Sequence, residues 1–309
     1  MSDIKANPNR ISLVRGDLIA DFHPEIGGAL SRFAVGGIEV MRATPAAAIA
    51  TPNVRQMACY PLIPYSNRIG QATLEFGQKT HQLRRNFGDE PHAIHGLGWQ
   101  RRWQVDNQSN DALTLSLRHA ADADWPFRFD AVQECRLLNR ALQLRLRITS
   151  TDDAPMPVGL GFHPFFPIVP ETTLQAEWRG RWEMGDDKLP TEWKKITPEI
   201  DFSAARLIRD WKVDHCFTGW KQRATLSYPT HRTILTATGD ARNLVCFAPN
   251  DGRNFIALEP VSNINNAFAL AARGRTDTGM RVLGRGDSLE ISITISVEGV
   301  DAAPRGTGG

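Results

Sequence analysis

Three stretches of the chain alternate apolar and polar residues with a period of two. In "ALTLSLRHA" Leu113, Leu115 and Leu117 alternate with Thr114, Ser116 and Arg118; in "ALQLRLRIT" Leu142, Leu144, Leu146 and Ile148 alternate with Gln143, Arg145 and Arg147. "SLEISITISV" repeats the pattern with Leu289, Ile291, Ile293, Ile295 and Val297. Successive side chains of a strand point to opposite faces, so each pattern predicts a half-exposed antiparallel strand. Clusters of Gly, Asn, Asp and Ser such as "VGGIE", "NDGRN" and "GRGDS" punctuate further short strands. Long helical periodicity is missing, and "ATPAAAIATPNVRQMA" leaves room between its prolines for a turn or two. No repeat of fixed period and no change of composition marks a linker. The expectation is one all-β unit over 1–309, a large antiparallel β-sandwich, with frayed tails at about 1–9 and 301–309.

Charge narrows the classes of partner. The 36 basic and 34 acidic residues leave a net charge of +2, so no polybasic field points to nucleic acid. The local run "QLRRNF" reads as a solvated edge or a contact for an anionic ligand. The four cysteines, Cys59, Cys135, Cys216 and Cys246, lack C-x-x-C spacing, which argues against a zinc knuckle or redox pair and for free buried thiols. "MSDIKANPNRISLVRGD" has no apolar leader core, and no apolar run has the length of a membrane span. A cytoplasmic protein without membrane attachment is expected.

Candidate chemistry lies where polar side chains interrupt apolar strands. In "VGLGFHPFFP" alternation puts Gly159, Gly161 and His163 on one face and Val158, Leu160 and Phe162 on the other. Glycine inside a strand marks close approach of a ligand or of another backbone, although a hydrogen-bonded core histidine is the plainer reading. In "NFIALEPVSNINNAF" Phe255, Ala257 and Glu259 share a face opposite Ile256 and Leu258, so a carboxylate closes a strand that is apolar on both sides. Burying it is expensive unless it is paired or used, and burial raises its pKa toward that of a general base. Three other stretches stand out: "PYSNRIG" with Asn67 and Arg68, "HAIHGLGWQRRW" with His92, His95 and Trp99, and "WKVDHCF" with Asp214. Each also has a structural reading. Arg68 could tie a turn, Asp214 could cap one, and Trp99 could be core. His92 and His95 have the i, i+3 spacing of some metal pairs, but a site needs a third ligand, for which only His163 or Asp214 offers itself. No phosphate loop, dinucleotide fingerprint or G-x-S-x-G elbow is present.

As a set, Asn-Arg-Ile-Gly, His-Gly-x-Gly-Trp, Gly-Phe-His-Pro-Phe-Phe, Asp-His-x-Phe and Leu-Glu-Pro, in that order over about residues 60 to 270, resemble the aldose 1-epimerase (galactose mutarotase) family. "MACYPLIPYSNRIG" followed by "HAIHGLGWQRRW" is most similar to a bacterial branch whose sugar is less defined. The resemblance implies a supersandwich with a monosaccharide cleft on one sheet. It implies His163 as general acid toward the ring oxygen and Glu259 as general base at the anomeric hydroxyl, on opposite sides of the ring. Arg68 and His95, with Asn67 beside them, and Asp214 would hold the sugar, Trp99 would be a stacking surface, and Gly159 and Gly161 would leave room for the pyranose. No metal or cofactor is expected, and the protein would be a monomer or homodimer. Two departures bear on the sugar: Leu97 separates Gly96 from Gly98, and Asn265 and Asn266 stand where Pro-Asp is common. Two alternatives remain at this stage. One is a hexose-phosphate mutarotase using Arg84, Arg85, Arg101 or Arg102; the other is a non-catalytic sugar-binding sandwich, against which the joint presence of His163 and Glu259 argues.

Overall fold

The computed structural model describes residues 10–249 and 251–299, and both expected frayed tails lie outside them. Antiparallel sheets dominate. A nine-stranded sheet holds the three alternating segments as Ala112–His119, Ala141–Ser150 and Ser288–Glu298, with Phe129–Leu138 between the first two. Leu142, Leu144 and Leu146 stand opposite Ile295, Ile293 and Ile291 across the ladder, and all six are buried. The register therefore puts one continuous apolar face on the sheet, as the period of two requires.

That face packs against an eight-stranded sheet whose central strands are Val213–Thr218, Asn243–Ala248 and Phe255–Val261. Ile256, Leu258, Leu244 and Cys246 point into the shared core together with the leucines and isoleucines of the larger sheet. A four-stranded sheet from Ile11–Arg15 to Ile38–Glu39 contributes Leu13, Ala20, Phe22 and Phe33 to the same core. The opposite face of the eight-stranded sheet, with Val245, Phe255, Ala257 and Val261, carries a second apolar cluster with Tyr60, Trp99 and Phe165. Strand Phe255–Val261 is buried on both faces, and Glu259 points to the second one. The proline-bracketed stretch forms helix Ala46–Ala50 and a 3₁₀ turn Val54–Gln56. All four cysteines are free and buried. Among the described residues no helix is long and apolar enough to cross a membrane.

Gly159 and Gly161 serve packing rather than a sugar. A Cβ on Gly159 would lie 2.0 Å from Oδ1 of Asn263, and one on Gly161 2.8 Å from Val261 and 3.1 Å from Leu62. Their hydrogen faces admit neighbouring chain, which corrects the expectation that they make room for a pyranose.

Candidate active site

The second face of the eight-stranded sheet opens into a cleft of about 370 Å³, within the range of small-molecule sites. Its floor follows the register. Asp214 pairs with Phe247, Phe247 with Ala257, and Val245 with Glu259, while Phe165 pairs with Ala257 from the other side. His163 stands two residues before Phe165, its backbone N–H donating to the Tyr60 carbonyl at 3.0 Å. Asp214 belongs to strand Val213–Thr218 rather than capping a turn, and its side chain is open to the cleft.

His163 Nε2 lies 3.1 Å from Glu259 Oε1, with the two side chains 8% and 3% exposed. They sit side by side, too close to bracket a sugar ring, which corrects the opposite-sides arrangement. Burial holds the imidazole well below its ordinary pKa, helped by the neighbouring His95 imidazole, beside which a second protonated ring is disfavoured, and by the Arg42 charge. Burial and the Asp214 charge push the Glu259 carboxyl well up, against the pull of Arg68. Each group resists a net charge, so the pair is most stable holding one proton between them. Nδ1 of His163 and Oε2 of Glu259 are buried without a hydrogen-bond partner among the described residues. Unsatisfied buried polar atoms of this kind cost stability.

Asn67 and His95 come from two loops that clasp each other. Both have positive φ, 58° and 60°. The Asn67 N–H donates to His95 Nδ1 at 3.1 Å and the His95 N–H donates to the Asn67 carbonyl at 2.9 Å. Burial and the Arg68 charge push the His95 pKa down to about 3, so the ring is neutral. A neutral ring that accepts at Nδ1 carries its proton on Nε2, as a hydrogen-bond donor. This bears on a metal reading, because His95, His163 and Glu259 bring potential ligand atoms within 4.8 Å of one another. With its lone pair committed to Asn67, His95 has none at Nε2 for a cation, and the donor set fits a polar organic ligand better. His92 is not part of the cluster. Its Nδ1 accepts from the Gln71 N–H at 3.0 Å and its Nε2 meets the Asp187 carbonyl at 2.8 Å, a structural tie.

Arg68 lines the cleft with its guanidinium held by Glu90, Nε to Oε2 at 3.0 Å and Nη2 to Oε1 at 3.2 Å. Such a two-point pair fixes the plane of the guanidinium. Burial acts to raise the Glu90 pKa, but hydrogen bonds from Arg68 and Lys188 prevail and hold it at about 2. Glu90 was not foreseen; "GDEPH" looks like any polar loop. Two other residues escaped notice. Tyr60 lies against His163 with ring centroids 4.7 Å apart, and Arg42 lies 3.7 Å over the Phe165 ring. An arginine directly after the strand-like "IEVM" was the only available signal for Arg42.

Trp99 does not stack on the cleft. It is 3% exposed, packs behind Tyr60 at 6.0 Å, and donates Nε1–H to the Gly96 carbonyl, so the rings that line the cleft are Tyr60, Phe87, Phe165, Phe247 and Phe255. Asn265 and Asn266 do not line it either. Asn265 Oδ1 accepts from the Arg68 backbone N–H at 3.2 Å and Asn266 Oδ1 from the Gly70 N–H at 3.0 Å. Arg84 and Arg101 pair with Asp124, and Arg102 with Glu25, away from the cleft.

Comparison with known proteins agrees with this geometry. The family model of aldose 1-epimerase matches residues 10–296, and the chain belongs to that family. It is therefore a mutarotase-type isomerase by family. The chain is 28% identical over 262 residues to the uncharacterized protein YphB of Escherichia coli K12, covering 82% of this chain and 87% of that one. A crystal structure from Escherichia coli K12, provisionally assigned as an aldose 1-epimerase, superimposes with a TM-score of 0.84 at 25% identity, covering 94% and 99% of the two chains. A galactose mutarotase-like protein of Clostridium acetobutylicum shares the fold with a TM-score of 0.81 at 16% identity, covering 94% and 95%.

Proposed function

We propose that the protein interconverts the α and β anomers of an aldohexose of the galactose or glucose type through the open-chain aldehyde. The observation that carries this reading is the buried His163–Glu259 pair at 3.1 Å on the floor of the cleft. In the reactive state the single proton is on His163. Glu259 takes the proton of the anomeric hydroxyl, the C1–O5 bond breaks, and His163 delivers its proton to O5. Rotation about C1–C2 turns the other face of the aldehyde toward O5. Closure reverses the transfers: Glu259 returns a proton to O1 as His163 removes one from O5. The pair holds one proton before and after, so the cycle needs no outside acid or base. Concerted help of about 10² to 10⁴ from each group suffices for a reaction that already proceeds in water. Arg68, His95, Asn67 and Asp214 provide donors and an acceptor for the hydroxyls.

Anomeric exchange measured by NMR saturation transfer, on wild type, His163→Ala and Glu259→Gln, tests the reading. Exchange accelerated by wild type and lost in both folded variants is expected. Acceleration that persists in both would remove the pair from the mechanism, and no acceleration of any aldose would leave a binding protein.

A further inference from the structure

Four arginines line the cleft, Arg42, Arg55, Arg68 and Arg253, against two carboxylates, Asp214 and Glu259. Two of the four are neutralised by acids beside them: Arg68 by Glu90, and Arg253 by both oxygens of Asp251 at 2.8–3.0 Å. Arg42 and Arg55 have no carboxylate partner among the described residues. Arg42 donates Nη2 to the backbone carbonyls of Met57 at 2.7 Å and Arg55 at 3.1 Å, and its Nε is buried with no partner. Its guanidinium lies over Phe165 and, at 4.8 Å, faces Phe255. Arg55 lies 4.6 Å over the Phe87 ring. Burial and the nearby charge of Arg253 lower the Arg42 pKa to about 10, the response of a cation lacking its counter-ion.

Position matters as much as charge. Phe165 stacks on His163 with centroids 4.4 Å apart, so Arg42 lies one ring beyond the group proposed to protonate O5. In a hexopyranose O5 joins C1 to C5, and the exocyclic C6 is attached to C5. With C1 and O5 over the Glu259–His163 pair, C6 projects to the His163 side, toward Phe165 and Arg42. The geometry points to an aldohexose carrying an oxyanion at C6, received by Arg42 and Arg55, as the preferred substrate. This rests on the mutarotase reading and narrows its substrate class. Guanidinium donors suit carboxylate, phosphate and sulfate oxygens alike, so the shared chemistry is the oxyanion.

The test measures anomeric exchange of glucose, glucuronate, glucose 6-phosphate and glucose 6-sulfate, each corrected for its uncatalysed rate, with wild type, Arg55→Gln and Arg42→Gln. At least one 6-anionic sugar is expected to exceed glucose in kcat/KM, and the best of the three identifies the anion. Arg55→Gln, at an exposed position, is expected to reduce that preference about 10- to 100-fold, as loss of a charge-assisted contact does. Added salt should reduce it too. Arg42→Gln is the second arm. Glucose turned over as well as every anionic sugar, or a preference that survives both variants, overturns the inference and leaves mutarotation standing. Acceleration of no sugar overturns the mutarotase reading itself.

Discussion

Replacing Glu259 by glutamine keeps the size of the side chain and removes its charge and basicity. Glu259 is 3% exposed and meets His163 at 3.1 Å, so the amide occupies the same space without a new cavity. Loss of a general base costs about 10² to 10⁴ in rate, which is ~3–5.5 kcal/mol of barrier at 1.36 kcal/mol per tenfold. Stability moves the other way. The folded carboxyl has a raised pKa, caused by burial and Asp214. Above the ordinary carboxylate range the unfolded chain releases this proton while the folded protein resists doing so. The wild type therefore loses stability as pH rises from the unfolded value toward the folded one. Glutamine has no such titration. Glu259→Gln is expected to melt at a higher temperature than wild type, with a larger gap at pH 8 than at pH 5. The assays are saturation-transfer NMR for exchange and thermal unfolding at the two pH values. Activity within tenfold of wild type would refute the base assignment, and a lower Tm at pH 8 would refute the view that the carboxyl is kept at a cost to stability.

Other outcomes follow from the same contacts. Burial lowers the pKa of His163, so the acid limb of the kcat/KM profile is expected below the ordinary imidazole value of 6.5; a limb at or above 6.5 counts against a buried one-proton pair. Glu90→Gln strips Arg68 of its carboxylate and is expected to destabilise by about 2–4 kcal/mol, somewhat under the figure for a fully buried pair, and to raise KM more than it lowers kcat. Because the Glu90 pKa falls from 4.5 to about 2 on folding, that gap should be full above pH 4.5 and close as pH falls toward 2, which acid titration of both proteins will show. Gly159→Ala places a Cβ 2.0 Å from Asn263 Oδ1 and is expected to cost about 1–3 kcal/mol in chemical denaturation, with weaker catalysis because Asn263 supports the Asn67–Arg68 loop.

Alternation carried most of the fold. The three long segments are strands with their leucines and isoleucines inward, and the face assignment of Phe255, Ala257 and Glu259 against Ile256 and Leu258 holds. Period-two patterns state which residues share a face, but not which sheet that face meets. The sequence order of motifs brought out His163, Glu259, Arg68, Asn67, His95 and Asp214, all of which border one cleft. What the chain left hidden depends on contacts distant in sequence. Glu90 acquires its importance only by meeting Arg68, 22 residues away, and Lys188, 98 residues away. The sequence leaves Trp99 open between a sugar platform and a core ring, and its burial behind Tyr60 decides for the core. Gly159 and Gly161 signalled close approach correctly, but the approaching group is Asn263 for one and the Phe255–Val261 strand with Leu62 for the other.

The parts of the site rest on different kinds of support. Glu259 stands on a central strand and the His163 N–H is tied to the Tyr60 carbonyl, so the His163–Glu259 pair inherits the rigidity of the sheet. Asn67, Arg68 and His95 lie where strands end, and buried amides brace them from behind. Asn263 accepts from the Ser66 N–H and hydroxyl, both at 3.0 Å, and donates to the Ser66 carbonyl at 3.1 Å, while Asn265 and Asn266 hold the backbone of Arg68 and Gly70. Arg42 and Arg55 come from a third segment, Arg42 before the short helix Ala46–Ala50 and Arg55 inside the 3₁₀ turn Val54–Gln56 that follows it. Arg42 nevertheless communicates with the pair, because its charge helps to lower the His163 pKa and the Phe165 ring beneath it stacks on His163. On the proposed reading, the reaction type would follow from the sheet and the choice of sugar from the segments laid over it.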